Sequence, residues 1–118
     1  MLIGVVAAFI GVGFGAFGAH SLRGRTSPEM LAVFETGVRY QMYHAFAILI
    51  VAAATGHFGN ARLLGAAGWT FTAGVVLFSG SLYALALSDV RILGAITPIG
   101  GLLFLAGWAM LVVFAALR

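Results

Sequence analysis

Residues 63–88 read LLGAAGWTFTAGVVLFSGSLYALALS, 26 positions between Arg62 and Asp89 without one charged side chain. A stretch of about 20 apolar residues is enough to cross the hydrocarbon core of a bilayer as a helix. Working outward, Ile92 to Leu117 gives another 26 uncharged positions, and Arg39 and Arg62 enclose 22. Met1 to Ala19 contains no charge and no Ser or Thr. The expected architecture is therefore all-α: an integral membrane bundle of four transmembrane helices forming one domain, 1–118, with spans near 1–20, 38–56, 63–88 and 94–117.

Composition agrees. The 118 residues are 63% hydrophobic and 8% charged, with a mean hydropathy of +1.13. A soluble domain carries about 25% charged residues, so an ordinary hydrated surface is excluded. Cys is absent, which removes disulfides, thiolate metal sites and Cys nucleophiles. The net charge of +3 is six Arg against three acids, spread along the chain, which is no nucleic-acid patch. In a membrane protein such loop Arg residues set orientation or meet anionic headgroups. A cleaved signal peptide is the competing reading of the first segment, but no basic residue precedes Arg23.

Two prolines mark helix starts. Ser27-Pro28-Glu29 places a capping hydroxyl before a Pro at the first helical position, with a carboxylate in the first turn. The second span is thus expected to begin with an interfacial helical entry, and Gly37 could bend it. Thr97-Pro98 offers the same cap to the fourth helix, with Val90–Ile96 as a lead-in; the alternative is one helix kinked at Pro98. Gly56, Gly59 and Asn60 mark the turn after the second span. Ala7, Gly11, Gly15 and Ala19 recur every four residues, a small-residue stripe suited to close helix packing. Gly68, Thr72, Gly80 and Ala84 form a broken version on the third helix.

Polar residues are distributed unevenly. In a serpentine of four helices, the end of the first, start of the second, end of the third and start of the fourth share one membrane face. His20, Glu35, Arg39, Tyr40, Gln41, Tyr43, His44, Ser79, Ser81, Tyr83 and Thr97 all fall there. Ionisable groups in a bilayer pair, face the bundle interior or serve a function. Glu35 sits four residues before Arg39, the favourable order for an ion pair. His20, Glu35, Arg39, Tyr40, Tyr43, His44, Ser79, Tyr83 and Thr97 are therefore the candidate ligand or partner site. The plainer reading makes the tyrosines interfacial anchors, Arg39 a snorkelling cation and the histidines hydrogen-bonded structural groups. No chelating spacing of His is present, so no metal and no cofactor is expected.

Four motifs, Gly15-Ala-Phe-Gly-Ala-His20, Tyr40-Gln-Met-Tyr-His44, Phe78-Ser-Gly-Ser-Leu-Tyr83 and Gly94-Ala-Ile-Thr-Pro-Ile-Gly-Gly101, occur in order along essentially the whole chain. Together the chain resembles the small YgdD-like membrane proteins of bacteria, which have similar mitochondrial relatives in eukaryotes. The resemblance implies a multi-pass inner-membrane protein and transfers no catalytic residue.

The favoured function is a noncatalytic module that binds a membrane lipid, a membrane protein partner or a second copy through the one-sided polar cluster. The alternative is a small transporter or channel subunit for protons or a small polar solute. An intramembrane enzyme using His20 or His44 near Glu35 ranks third, because no nucleophile or metal signature accompanies them. Arg23, Arg25 and Arg91, with Arg39, outnumber Arg62 and Arg118 at the other face, which places the polar-cluster side in the cytoplasm by the positive-inside tendency.

Overall fold

The computed structural model describes residues 1–59 and 62–118, so the turn expected at Asn60 lies outside the described residues. Helix α1 runs Leu2–Phe17 and closes in a π-helical turn, Gly18–Leu22. Helix α2 spans Pro28–Phe58, α3 Arg62–Ser88 and α4 Thr97–Ala116, with a 3₁₀ turn at Arg91–Ala95 before α4. No strand occurs among the described residues. Three segments, Leu2–Leu22, Arg62–Ser88 and Arg91–Ala116, are long and apolar enough to cross a membrane. Helix α2 has the length but also carries Glu29, Glu35, Arg39, Gln41 and His44.

Local chemistry sets the boundaries. Ser27 Oγ accepts from the Met30 amide at 3.1 Å, and Pro28 occupies the first turn, so the expected cap starts α2. The interfacial entry is simply the beginning of one uninterrupted helix. Its 31 residues span about 46 Å at 1.5 Å per residue, nearly the 49 Å length of the molecule. Gly37 does not break it. Its lack of a side chain admits the Tyr83 ring, whose Cε1 would lie 2.8 Å from a Cβ there. Asp89 ends α3 with φ 56°, the left-handed conformation that Asp tolerates better than most residues.

The start of α4 differs from expectation. Thr97 does not cap it; Ile96 is the N-cap residue and no side chain caps the helix. Thr97 Oγ1 instead lies 2.7 Å from Ser81 Oγ on α3. A hydroxyl that bridges two helices is unavailable to its own helix end.

Each helix packs mainly on its neighbours in the chain. Helix α1 and the π turn that follows it meet α2 through Gly4, Gly11 and Gly18, spaced by seven residues. Of the expected stripe, Gly11 is buried, Ala7 and Gly15 are half-buried, and Ala19 is exposed. A seven-residue spacing stays close to one side of a helix, whereas a four-residue one drifts around it. On α3, Gly68 packs against Val51 of α2, but Gly80 has open space before it and Ala84 is exposed, so only the first part of that stripe is a packing seam. The α3–α4 contact is made at Gly74, Gly100 and Gly107. The main core comprises Ala47, Ile48, Val51, Leu64, Ala67, Phe71 and Phe104. Large apolar side chains cover the outside, including Phe9 at 79% and Leu105 at 67% exposure, as a lipid-facing surface requires.

Candidate functional site

The polar residues of the bundle form separate clasps between helices. On α2, Gln41 occupies the apolar face shared by Phe34, Gly37, Ala45 and Ile48, and is buried. Its Nε2 donates to the Ala7 carbonyl of α1 at 2.8 Å, and its Oε1 accepts from the Tyr83 hydroxyl of α3 at 2.7 Å. One amide therefore ties three helices. Ser79 Oγ donates to the Gly37 carbonyl at 2.7 Å, a second α2–α3 link in the same layer. Ser81 Oγ donates to Phe78 O at 2.9 Å; because a hydroxyl has one proton, Thr97 must donate to Ser81.

His44 makes the α2–α4 clasp. An indole N–H can only donate, so the 3.2 Å contact from Trp108 Nε1 makes His44 Nε2 an acceptor. The ring proton then resides on Nδ1, which donates to the Tyr40 carbonyl at 2.7 Å. The imidazole also stacks on Phe104, with centroids 3.4 Å apart and planes within 5°. Both nitrogens are committed, which leaves no lone pair for a ligand in this arrangement. An open groove of about 560 Å³ lies beside this clasp, walled by Tyr40, Phe78, Leu102, Phe104 and Trp108.

Depth separates residues that connectivity seemed to gather. Trp108 lies 11 residues past Thr97, about 16 Å along the axis, so the His44 clasp sits near the middle of α4. Glu35, in contrast, follows Phe34, whose ring lies against Gly18 close to the end of α1. His20 is exposed on the π turn and lines none of the cavities described here. The nine candidates thus do not share one cavity. Tyr83 and Ser79 belong to the buried three-helix layer, Thr97 to the α3–α4 clasp, and His44 with Tyr40 to the aromatic groove. Glu35 and Arg39 rim a pocket between α1 and α2, while Tyr43 is exposed with its ring edge against Tyr40.

The expected Glu35–Arg39 ion pair is not made. Among the described residues, ion pairs within 4.0 Å join Arg91 to Glu29 at 3.1 Å and to Asp89 at 3.2 Å. Arg39 Nη2 instead lies 3.4 Å from Thr36 Oγ1, one turn back along α2. Arg39 is exposed and Glu35 half-buried at the α1–α2 pocket, where solvation and side-chain freedom offset much of the attraction between them.

A model of the family described as "Protein of unknown function (DUF423)" matches residues 14–101. The chain belongs to this family. It is similar to the UPF0382 membrane protein SH2409 of Staphylococcus haemolyticus, 50% identical over 113 residues, or 96% of this chain and 91% of that one. The UPF0382 membrane protein YwdK of Bacillus subtilis is 46% identical over 115 residues, 98% of this chain and 94% of its own. No solved structure matches the chain.

In this DUF423 member the residues that organise the polar layer include three outside the expected site: Gln41, Ser81 and Trp108. Gln41 had a legible signal, since it interrupts the apolar face of α2 at Phe34, Gly37, Ala45 and Ile48. A polar side chain on such a face must find a partner across the helix contact. Trp108 had none, because an indole in a membrane helix reads equally well as an interfacial anchor.

Proposed function

We propose that the chain is a noncatalytic, multi-pass inner-membrane module that binds a membrane lipid, and that its likeness to the YgdD-like proteins and their mitochondrial relatives reflects this shared role. The observation that supports this reading is the open pocket between α1 and α2 lined by Glu35 and Arg39, while the closure of the buried polar groups on one another counts against a transport path. Among the described residues, no buried side-chain nitrogen or oxygen lacks a hydrogen-bond partner. A polar file across the bundle would need groups free to exchange partners, whereas Gln41, Tyr83, Ser79, His44 and Thr97 are each engaged in a helix contact. Among the open cavities, two carry polar or aromatic groups of the candidate site: the aromatic groove at α2–α4 and the pocket rimmed by Glu35 and Arg39. The Arg-richer end carrying Arg23, Arg25 and Arg91 then faces the cytoplasm and its anionic leaflet.

Purified protein tests this reading. Lipid retained through detergent exchange, together with a lipid-dependent rise in melting temperature, is the expected result. Proton or solute flux above empty proteoliposomes, without retained lipid, would replace it with the transporter reading.

A further inference from the structure

Between α1 and α2 a pocket of about 220 Å³ is floored by Phe14 and Phe34 and rimmed by Glu35 and Arg39. Residues four apart on a helix surface hold their Cβ atoms about 5–6 Å from one another, so a carboxylate and a guanidinium are presented side by side. They do not neutralise each other, and Glu35 makes neither a hydrogen bond nor an ion pair among the described residues. The pocket lies at the level of Gly18, one helical turn from the close of the π turn at Leu22 and about two turns into α2 from Pro28, in the outer part of the bundle within reach of a snorkelling Arg39. A chain in a bilayer places such a level beside the lipid headgroups.

Opposite charges one turn apart, over an aromatic floor, complement a ligand that itself carries an anion and a cation at short separation. Phosphate matches the fork of a guanidinium, and an ammonium matches both a carboxylate and the faces of Phe rings. We infer that this pocket seats the headgroup of a zwitterionic aminophospholipid, with the phosphate on Arg39 and the primary ammonium on Glu35. The inference rests on the reading of the chain as a lipid-binding module and names the lipid class and its site. A purely anionic lipid leaves Glu35 unmatched. A choline lipid offers methyl groups where a primary ammonium donates hydrogen bonds.

The test titrates the full chain in detergent with phosphatidylethanolamine, phosphatidylcholine or phosphatidylglycerol and reads bound lipid by native mass spectrometry. The wild type is expected to retain phosphatidylethanolamine best. Glu35→Gln should weaken that lipid about fivefold while sparing phosphatidylglycerol, and Arg39→Gln should weaken both by a similar factor, as expected for one interfacial charge. Arg39 is exposed and Glu35 half-buried, and helical circular dichroism verifies folding. Equal retention of all three lipids, or a preference untouched by either substitution, overturns the headgroup site while leaving lipid binding intact. Failure of the wild type to retain any lipid sinks the broader reading instead. Displacement of the lipid by soluble phosphoethanolamine at equal affinity overturns a lipid occupant in favour of a free zwitterion.

Discussion

The α1–α2 and α3–α4 contacts both use glycines, and they use them differently. A Cβ on Gly100 of α4 would run into the Phe78 amide nitrogen and lie 2.7 Å from its Cα, so there α3 and α4 touch backbone to backbone. On α1, a Cβ on Gly11 would meet Met42 Sδ at 2.6 Å, and one on Gly4 would meet the Leu49 side chain at 2.8 Å. The Ala45 carbonyl also lies 3.1 Å from a Cβ on Gly4, but the nearest neighbours on this seam are side chains rather than backbone. The closer seam is held mainly by shape, with one hydroxyl pair, Thr97 to Ser81; the looser seam carries the buried amide of Gln41. Packing of small residues and interhelical hydrogen bonds are the two devices available where lipid removes the hydrophobic drive between helices. In this molecule they predominate at opposite ends of the helix order.

The largest expected effect tests the close seam. Gly100→Ala should destabilise the solubilised protein by about 3 kcal/mol, because backbone can retreat only by separating the helices. Gly11→Ala should cost less than about 1 kcal/mol, since Met42 is unbranched and can turn its sulfur aside. Chemical or thermal unfolding in one detergent compares the two directly. Equal losses would show that what the glycine faces does not matter, and the contrast between the seams would collapse.

The next effect tests the amide clasp. Tyr83→Phe leaves Gln41 Oε1 buried without its donor and should cost about 1–3 kcal/mol. Gln41→Leu removes the links to both Ala7 and Tyr83 and should cost at least as much. The double change should fall short of the sum, because each substitution already removes the bond between them. Strict additivity in unfolding measurements would mean that the two groups act independently.

A smaller effect belongs to the α2–α4 clasp. Trp108→Phe keeps an aromatic ring beside Phe71 and removes the donor to His44 Nε2, for an expected loss of about 1 kcal/mol. The exposed wall of the groove is indifferent by comparison: Leu105→Ala faces lipid and should change stability by less than about 0.5 kcal/mol.

These contrasts also mark what the sequence made legible. Charge spacing located four helices, because the cost of charge in a bilayer is large against any local propensity. Ser27-Pro28 located the start of α2 for the same reason that a cap is local: hydroxyl and amide are three residues apart. Thr97-Pro98 has the same local form, yet Thr97 serves α3, because a partner 16 residues away competed successfully for its hydroxyl. Glycine spacing showed that helices approach closely but not which stripe is used; Ala19 sits on the outside and Gly4 and Gly18 do the packing. Connectivity assigned His20, His44 and Thr97 to one end, whereas α2 is long enough to carry His44 toward the middle of α4. Axial offset between helices depends on loop geometry and tertiary packing, which no local pattern encodes.

The smallest expected effect concerns the pair that local spacing favoured. Glu35 and Arg39 have the i, i+4 order that stabilises a helix by about 0.2–0.5 kcal/mol when the ion pair forms, but here Arg39 turns to Thr36. Glu35→Gln and Arg39→Gln should each shift unfolding by less than about 0.5 kcal/mol in a lipid-free detergent, and the double change should be their sum. With phosphatidylethanolamine present, the same two substitutions should become coupled, because one headgroup then bridges both side chains. A thermal-shift double-mutant cycle run with and without the lipid reads this difference. Coupling already present without lipid would restore the direct ion pair, and the pocket would then be a closed structural contact like the Gln41 clasp. Coupling that appears only with lipid would set this corner apart from every buried polar group in the bundle, since its partner would come from the membrane.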